Sequence, residues 1–457
     1  MPSKNPGVLP AVLLVLAAVA TPTTLEARDE TALFAGAERL ERDALVDAVL
    51  ERNPGLAEAR AAWRAARERV PQARSLDDPM VGYSLGPLSI ASDEVRFGQV
   101  LEARQRIPYP GKLRLREETA RAAAEAAERS IETVRLELAT EASLLFDEWY
   151  LVHRDLELTD EHVRLLEDFQ RIATARYAAG EAPQQAPIQA EVELSHLVHR
   201  RMVLETEREI LAARINALLH RDPAAPLPPA PPELPFFDPE RDLATAGTGE
   251  LPDLALASRP ELARLDAESA AREAEIELRE LDRYPDFEAM ASYNSMWAQT
   301  EHQWMVGVGV NVPIRRERIR AAVAEARAEA ERVESERLRL EDEVRAEVRI
   351  AWARLRESRH VLTIYESRVL PAARDQVRAA LSGFETGRTT FLALIEAERN
   401  QRTAELEYHQ TLAQLHQRRA ALERALGTTP GPLSGPAPET PEAAGIPALR
   451  ELQGEIR

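Results

Sequence analysis

The chain has 457 residues, of which 44% are hydrophobic, 30% charged and only 5% aromatic. This composition, dominated by Ala, Glu, Arg and Leu, is typical of long helices and coiled coils rather than of a compact enzyme domain. The net charge of -19 gives no electrostatic support for a nucleic-acid partner. The absence of cysteine excludes disulfides, thiol nucleophiles and a lipid-modified N-terminal cysteine.

The N-terminus carries the pattern of an export signal. Lys4 precedes an apolar run from Val8 to Ala20, and small residues lie before two candidate cleavage positions, after Ala20 and after Ala27. This order is typical of a secretory signal peptide. The apolar run is short of the ~20 residues that a membrane-spanning helix needs. We therefore predict a signal peptide at 1–27 and a mature protein that leaves the cytoplasm.

Proline and glycine landmarks recur in the same order in two halves of the chain. Asn53-Pro54-Gly55-Leu56 is matched by Arg259-Pro260-Glu261-Leu262, and Tyr177-Ala178-Ala179-Gly180 by Phe384-Glu385-Thr386-Gly387. Landmarks that stay in register across a whole unit indicate an internal repeat.

The repeat predicts the domain organisation. Seven prolines between 223 and 235 exclude a helix there, so we expect this segment to run extended. After Gly427 the composition turns to Pro, Gly, Ser and Thr, which favours a poorly ordered end. The predicted units are a first repeat at 40–221, a proline-rich linker at 222–257, a second repeat at 258–427 and a disordered tail at 428–457.

Each half is predicted to contain a helix, two strands, one very long helix and a return helix. From Lys112 to Tyr177 there is neither proline nor glycine, and apolar residues recur with the spacing of a coiled coil. At 1.5 Å per residue this helix is on the order of 100 Å long. Its second copy, Ile314 to Phe384, contains Pro371, which we expect to kink it. The other predicted helices are 43–74, 184–220, 258–283 and 389–426.

The segments before each long helix alternate between apolar and polar residues. Between Gln303 and Val312, for example, the even positions are apolar and the odd positions are mostly polar or glycine. A period of two predicts a strand with one apolar face. The apolar positions predicted to face lipid are Val81, Tyr83, Phe97, Phe287, Tyr293, Trp304, Val306, Val308 and Val310.

These strands favour a membrane β-barrel over a soluble sheet. The chain is predicted to be exported, the strands are about 10 residues long, and aromatic residues lie near their ends, as in the girdles of membrane barrels. Four strands cannot close a barrel, and an open sheet edge is not tolerated in lipid. Several chains must therefore contribute strands to one barrel.

Together, the signal peptide, the tandem halves, the strand pairs and the Tyr/Phe-x-x-Gly turns resemble the TolC family of outer-membrane efflux channels. The resemblance implies a mainly α fold with a small membrane β-barrel: a homotrimer inserted through 79–107 and 285–313, with a twelve-stranded barrel in outer-membrane lipid and a helical tube in the periplasm. It also implies a passive conduit from periplasm to exterior in a tripartite efflux or type I secretion system, with a periplasmic adaptor protein and an inner-membrane pump as partners. The segment Pro108-Tyr109-Pro110-Gly111-Lys112 is most similar to members that accompany heavy-metal pumps of the resistance-nodulation-division type.

The resemblance also implies where the functional residues lie. The turns that end the two long helices correspond to adaptor-docking tips, and the family's acidic pore constriction falls on Ala393 and Glu396, so only Glu396 is acidic here. Alternatively, Glu396 pairs with Arg399 on a solvated helix face, as Glu398 could with Arg402. The predicted tip residues are Tyr177, Gly180, Glu181, Phe384, Gly387, Arg388 and Thr389.

Two other functions compete with that of a channel. A periplasmic coiled-coil adaptor or scaffold would also be exported, acidic and helical, but the four alternating strands and the whole-chain duplication argue against it. An exported hydrolase would need a nucleophile with a base, or a metal set. The sequence has no Gly-x-Ser-x-Gly or His-Glu-x-x-His motif, and the close pair His196 and His199 lacks a third ligand. We therefore expect no catalytic site, no metal site and no cofactor.

Overall fold

A computed structural model describes residues 33, 34, 36–90, 97–235, 237, 239 and 250–429. The predicted signal peptide and nearly all of the predicted tail lie outside these residues. These residues form long helices and one four-stranded antiparallel sheet. In chain order, the elements are α1 (Arg42–Arg52), α2 (Pro54–Arg74), β1 (Met80–Leu85), β2 (Gln99–Ile107), α3 (Lys112–Ala178), α4 (Gln185–Leu218), α5 (Leu251–Ser258), α6 (Pro260–Leu281), β3 (Phe287–Asn294), β4 (Trp304–Val310), α7 (Arg316–Ile364), α8 (Leu370–Glu385) and α9 (Phe391–Ala425).

The long helix α3 is the centre of the molecule. It runs without interruption for 67 residues, which confirms the predicted long helix and places its length at about 100 Å. Its coiled-coil positions Leu145, Trp149, Val152 and Leu156 are buried in one core with α1 and α9. A second core near Leu166 packs α3 against α4, α8 and α9 at the far end. The helix α3 therefore holds both halves of the chain together.

The predicted single helix at 43–74 is wrong, because the chain breaks at Asn53. Asn53 has an extended backbone, and its side-chain oxygen accepts a hydrogen bond from the backbone N–H of Gly55 at 2.8 Å. Pro54 disfavours a helical conformation at the residue before it and suits the first position of the next helix. The result is two helices with Asn53 as the cap of the second.

The second long helix is interrupted one turn earlier than predicted. A wide π-helical turn at Tyr365–Val369 separates α7 from α8, and Pro371 lies in the first turn of α8. Proline cannot donate a hydrogen bond to the preceding turn, and a π turn accommodates that loss locally. The irregularity therefore precedes Pro371 instead of being centred on it.

The proline-rich segment packs against the helices instead of hanging free. The indole N–H of Trp149 donates to the carbonyl of Pro228 at 3.1 Å. The backbone N–H of Leu40 donates to the carbonyl of Pro229 at 2.9 Å. Ala230 and Leu234 are buried in the same core as α1 and α3. Because proline lacks a backbone N–H, its carbonyl is the group that can bond to the helices here.

The expectation that 222–257 is extended throughout is also corrected. Helix α5 occupies its last part and ends one residue beyond it, with Pro252 in the first turn. A proline is tolerated there because the first N–H groups of a helix have no partner within the helix.

The sheet has strand order β1-β2-β3-β4, and all its neighbours are antiparallel. The central pair, β2 with β3, joins the first half of the chain to the second. The strands are six to nine residues long in the described part, somewhat shorter than predicted. Phe97 lies just before β2 and is not part of a strand.

None of the helices in the described part of the chain combines the length and the apolar character needed to cross a membrane.

Candidate functional site

One face of the sheet is apolar and exposed. In the register, Val81 lies opposite Ala103, Tyr83 opposite Leu101, and Ala289 opposite Val308, and directly opposed residues share a face. Val306 is 88% exposed, an extreme value for an apolar side chain. The predicted positions that the strands bring onto this face are Val81, Tyr83, Phe287, Tyr293, Trp304, Val306, Val308 and Val310. A continuous apolar surface of this kind marks an interaction with lipid or protein.

The opposite face of the sheet is polar and closely packed. Glu102 and Arg104 form an ion pair at 3.0 Å on this face. A side chain added at Gly82 would meet Glu102 at 3.0 Å, and one added at Gly307 would meet Met290 at 3.1 Å. Glycines here therefore leave room for the larger side chains of neighbouring strands.

The sheet and the helices meet at an ion cluster around the buried Lys112 and Asp286, which the sequence did not reveal. The ammonium group of Lys112 lies 3.0 Å from Asp286 and 3.1 Å from Asp282, and Arg106 donates to Asp286 at 2.8 Å. The backbone N–H of Tyr109 also donates to Asp286 at 3.0 Å. The Pro-Tyr-Pro-Gly-Lys segment thus fixes the start of α3 against the start of β3.

The two predicted tips have the same backbone geometry. Gly180 and Gly387 have φ angles of +76° and +72°, which suit glycine at the end of a helix. The N–H of Gly180 donates to Tyr177 and that of Gly387 to Phe384, each at 3.0 Å. A second bond from the following residue completes a Schellman motif in both turns.

The tips differ in which side chains they expose. Tyr177, Gly180, Glu181, Gly387, Arg388 and Thr389 are exposed. Phe384 is only 4% exposed and packs against Phe391, with ring centroids 5.3 Å apart, so its predicted place on a docking surface is wrong. Arg176, which the sequence analysis missed, donates to the carbonyl of Phe384 and lies 4.9 Å above its ring. These contacts tie the first tip to the second.

Glu396 is exposed on α9, but the alternative pairings proposed for this region are wrong. Arg399 forms its ion pair with Glu193 on α4, with one contact at 3.0 Å, instead of with Glu396. Glu398 is 1% exposed and faces the protein interior instead of pairing with Arg402. Sequence spacing along one helix could not show either contact, because both partners come from other helices.

A buried charge cluster lies where α3 meets α9. The Nδ1 atom of His162 is 2.8 Å from Oε1 of Glu398, and its Nε2 atom is 3.1 Å from Oε2 of Glu405. Arg374 on α8 lies 3.8 Å from Glu405. Burial alone would lower the pKa of His162, but the two carboxylates outweigh it and raise the pKa to about 9. His162 is therefore charged at neutral pH.

Among the described residues, no group of three or more His, Cys, Asp and Glu side chains could hold a metal ion. The two carboxylates at His162 bind opposite sides of its ring instead of converging on one point. His196 and His199 are both exposed on α4.

This architecture, a long helical assembly with a sheet that presents an apolar face, fits the predicted protomer of a membrane channel. The family model described as outer membrane efflux protein matches residues 45–221 and 251–428. The chain belongs to this family of outer membrane efflux proteins.

Solved structures share the fold. The outer-membrane channel OprN aligns with a TM-score of 0.70 at 21% identity, covering 84% of this chain and 89% of that chain. VceC from Vibrio cholerae aligns with a TM-score of 0.71 at 16% identity, covering 85% and 96%. CusC aligns with a TM-score of 0.73 at 17% identity, covering 85% and 92%. The comparison with curated protein sequences gave no match.

Family membership establishes the class of function. The chain is a passive outer-membrane efflux channel and not an enzyme, and its helical part extends into the periplasm. Channels of this family form homotrimers and work with adaptor and inner-membrane pump partners. The alternative of a periplasmic adaptor or scaffold is not supported.

Proposed function

We propose that three copies of this chain close one twelve-stranded barrel in the outer membrane. The observation that carries this proposal is the sheet, whose apolar face is exposed while β1 and β4 each have a free edge among the described residues. Unpaired N–H and C=O groups cost several kcal/mol each in lipid. Pairing β4 of one copy with β1 of the next removes these edges, and the apolar face then contacts lipid.

The helices support the same assembly. The side of α4 that packs on α3 carries the buried Leu197 and Leu204, whereas Ile188, Val192 and Met202 are exposed. Met202 is 62% exposed. In a closed ring each copy presents two different surfaces to its neighbours. We assign the exposed apolar side of α4 to the contact with the next copy.

The exposed residues of the two tips form the docking surface for the adaptor, and the pump is of the resistance-nodulation-division type. The free backbone groups at helix ends and the exposed Arg388 can bind an incoming helical hairpin. Three copies of Glu396 at the pore constriction would attract cations and repel anions. The heavy-metal subtype rests on the resemblance of residues 108–112.

The proposed domain boundaries follow the landmarks in the sequence. A signal peptide occupies 1–27, the two repeats are 40–221 and 258–427, and 222–257 connects them. The tail from 428 lies outside the repeats.

The test of this function combines assembly with conductance. Val308→Arg on the apolar face should impair insertion by roughly 2 to 4 kcal/mol near the bilayer midplane. We expect it to reduce heat-modifiable trimers in the outer-membrane fraction and single-channel events in planar bilayers. Gly307→Arg places the same charge on the opposite face, where the new side chain must also displace Met290. Normal assembly of Val308→Arg together with failure of Gly307→Arg would show that the faces are reversed.

A further inference from the structure

The exposed apolar stripe continues beyond β4 and ends at a cluster of arginines. Val312 and Ile314 follow the even-numbered positions of the strand, and Ile314 is 81% exposed. Directly after this stripe come four exposed arginines, with Glu317 as the single acidic residue among them. These four residues, which we call the arginine cluster, are Arg315, Arg316, Arg318 and Arg320.

The arginine cluster differs from most of the arginines further along α7, which have ion-pair partners. Within the described ranges, none of its four guanidinium groups forms a side-chain hydrogen bond or an ion pair. Further along the same helix, Arg327 pairs with Glu280 at 2.7 Å and Arg339 with Glu343 at 2.5 Å. At the start of α3, which is the corresponding point in the first half, Lys112 contacts Asp286 at 3.0 Å and Arg114 contacts Glu118 at 2.6 Å, and Arg116 alone has no side-chain partner within the described ranges.

The arginine cluster does not stabilise α7 from this position. The N-terminal end of a helix carries a partial positive charge, so cations there are unfavourable. Four unpaired arginines over the first turns of α7 therefore indicate an anionic partner outside the described chain. The partner must lie at the level where the apolar stripe ends.

We propose that the arginine cluster binds the phosphate groups of anionic phospholipids in the periplasm-facing leaflet of the outer membrane. This site rests on the proposed insertion of the sheet, since that insertion places residue 314 at the edge of the hydrocarbon layer. Arginine binds phosphate through two parallel N–H bonds, and its long side chain can reach the headgroup level from either side of the helix. Clusters of arginine beside a membrane segment recognise anionic lipid.

The test uses full-length trimers in nanodiscs of phosphatidylcholine with or without phosphatidylglycerol. The variant is Arg316→Gln with Arg320→Gln, and the matched control is Arg339→Gln with Arg345→Gln on the same helix. Native mass spectrometry measures the phosphatidylglycerol retained by each trimer. We expect several-fold enrichment for the wild type and the control, and loss of this enrichment for the variant with its trimers intact.

Three results would overturn the lipid site. Equal phosphatidylglycerol enrichment in the variant would show that the cluster does not select anionic lipid. Loss of trimers from the variant in phosphatidylcholine would instead assign the arginines to a neighbouring copy, whose Asp77 and Asp78 precede β1 at the proposed seam. Wild-type protein that forms no trimers in either lipid would overturn the proposed channel, and the lipid site with it.

Discussion

The buried cluster at His162 predicts a pH-dependent contact between the two halves of the chain. His162 is 3% exposed and is the cation in contact with Glu398. Replacing it with glutamine keeps a side chain of similar size but removes the positive charge. Breaking a buried ion pair from one side typically costs about 3 to 5 kcal/mol, because the remaining charge has no partner. His162→Gln should therefore loosen the packing of α9 on α3.

The pKa of His162 gives a second value for the free energy by which the charge cluster stabilises the fold. Its rise from 6.5 to about 9 corresponds to roughly 3 kcal/mol at 1.36 kcal/mol per pKa unit. Since the pKa is higher in the folded protein than in the unfolded chain, this stabilisation is fully present below pH 6.5 and is lost as the pH rises through about 9. Below pH 6.5 the wild type should be more stable than His162→Gln, and above about pH 9 the stabilities of the two proteins should converge.

Hydrogen–deuterium exchange measures the local stability of the contact between α9 and α3. A local measurement suits a large trimer, because its global unfolding is not two-state. Amides of α9 between Glu398 and Glu405 should exchange up to roughly 100-fold faster in His162→Gln than in the wild type near pH 6, and at similar rates near pH 10. The double variant His162→Gln with Glu398→Gln should recover most of the lost protection, because neither charge remains. A wild-type-to-variant ratio that is equal at both pH values would refute the charge-pair reasoning, since loss of ring packing alone does not depend on pH.

Three further predictions concern the outer surfaces. Arg388→Glu should weaken crosslinking to the adaptor without lowering trimer yield, whereas Arg378→Glu on the side of α8 should not; equal crosslinking of both variants would exclude a docking role for Arg388. Glu396→Gln should reduce cation selectivity in planar bilayers, and an unchanged reversal potential under a salt gradient would remove Glu396 from the constriction. Met202→Glu places a charge in the proposed contact between copies, so trimers should dissociate more readily in detergent; unchanged trimer stability would show that this side of α4 faces solvent.

The sequence by itself determined the features that are set by local backbone conformation. The absence of proline and glycine from Lys112 to Tyr177 specified the long helix, because helix formation is a property of local backbone bonding. The period-two pattern specified which strand residues share a face, since side chains alternate along any strand. The glycines of the two tips marked their turns for the same local reason, as only glycine adopts positive φ without strain.

Tertiary structure decided every contact between distant segments. His162 meets Glu398, Lys112 meets Asp286 and Arg176 meets Phe384 only after α3 has packed against the second half. A charged residue on a helix looks the same in sequence whether it faces solvent or a buried partner, because a period of 3.6 identifies a face but not what covers it. Burial and pairing depend on which helices become neighbours, and that is set by the packing of the whole chain around α3.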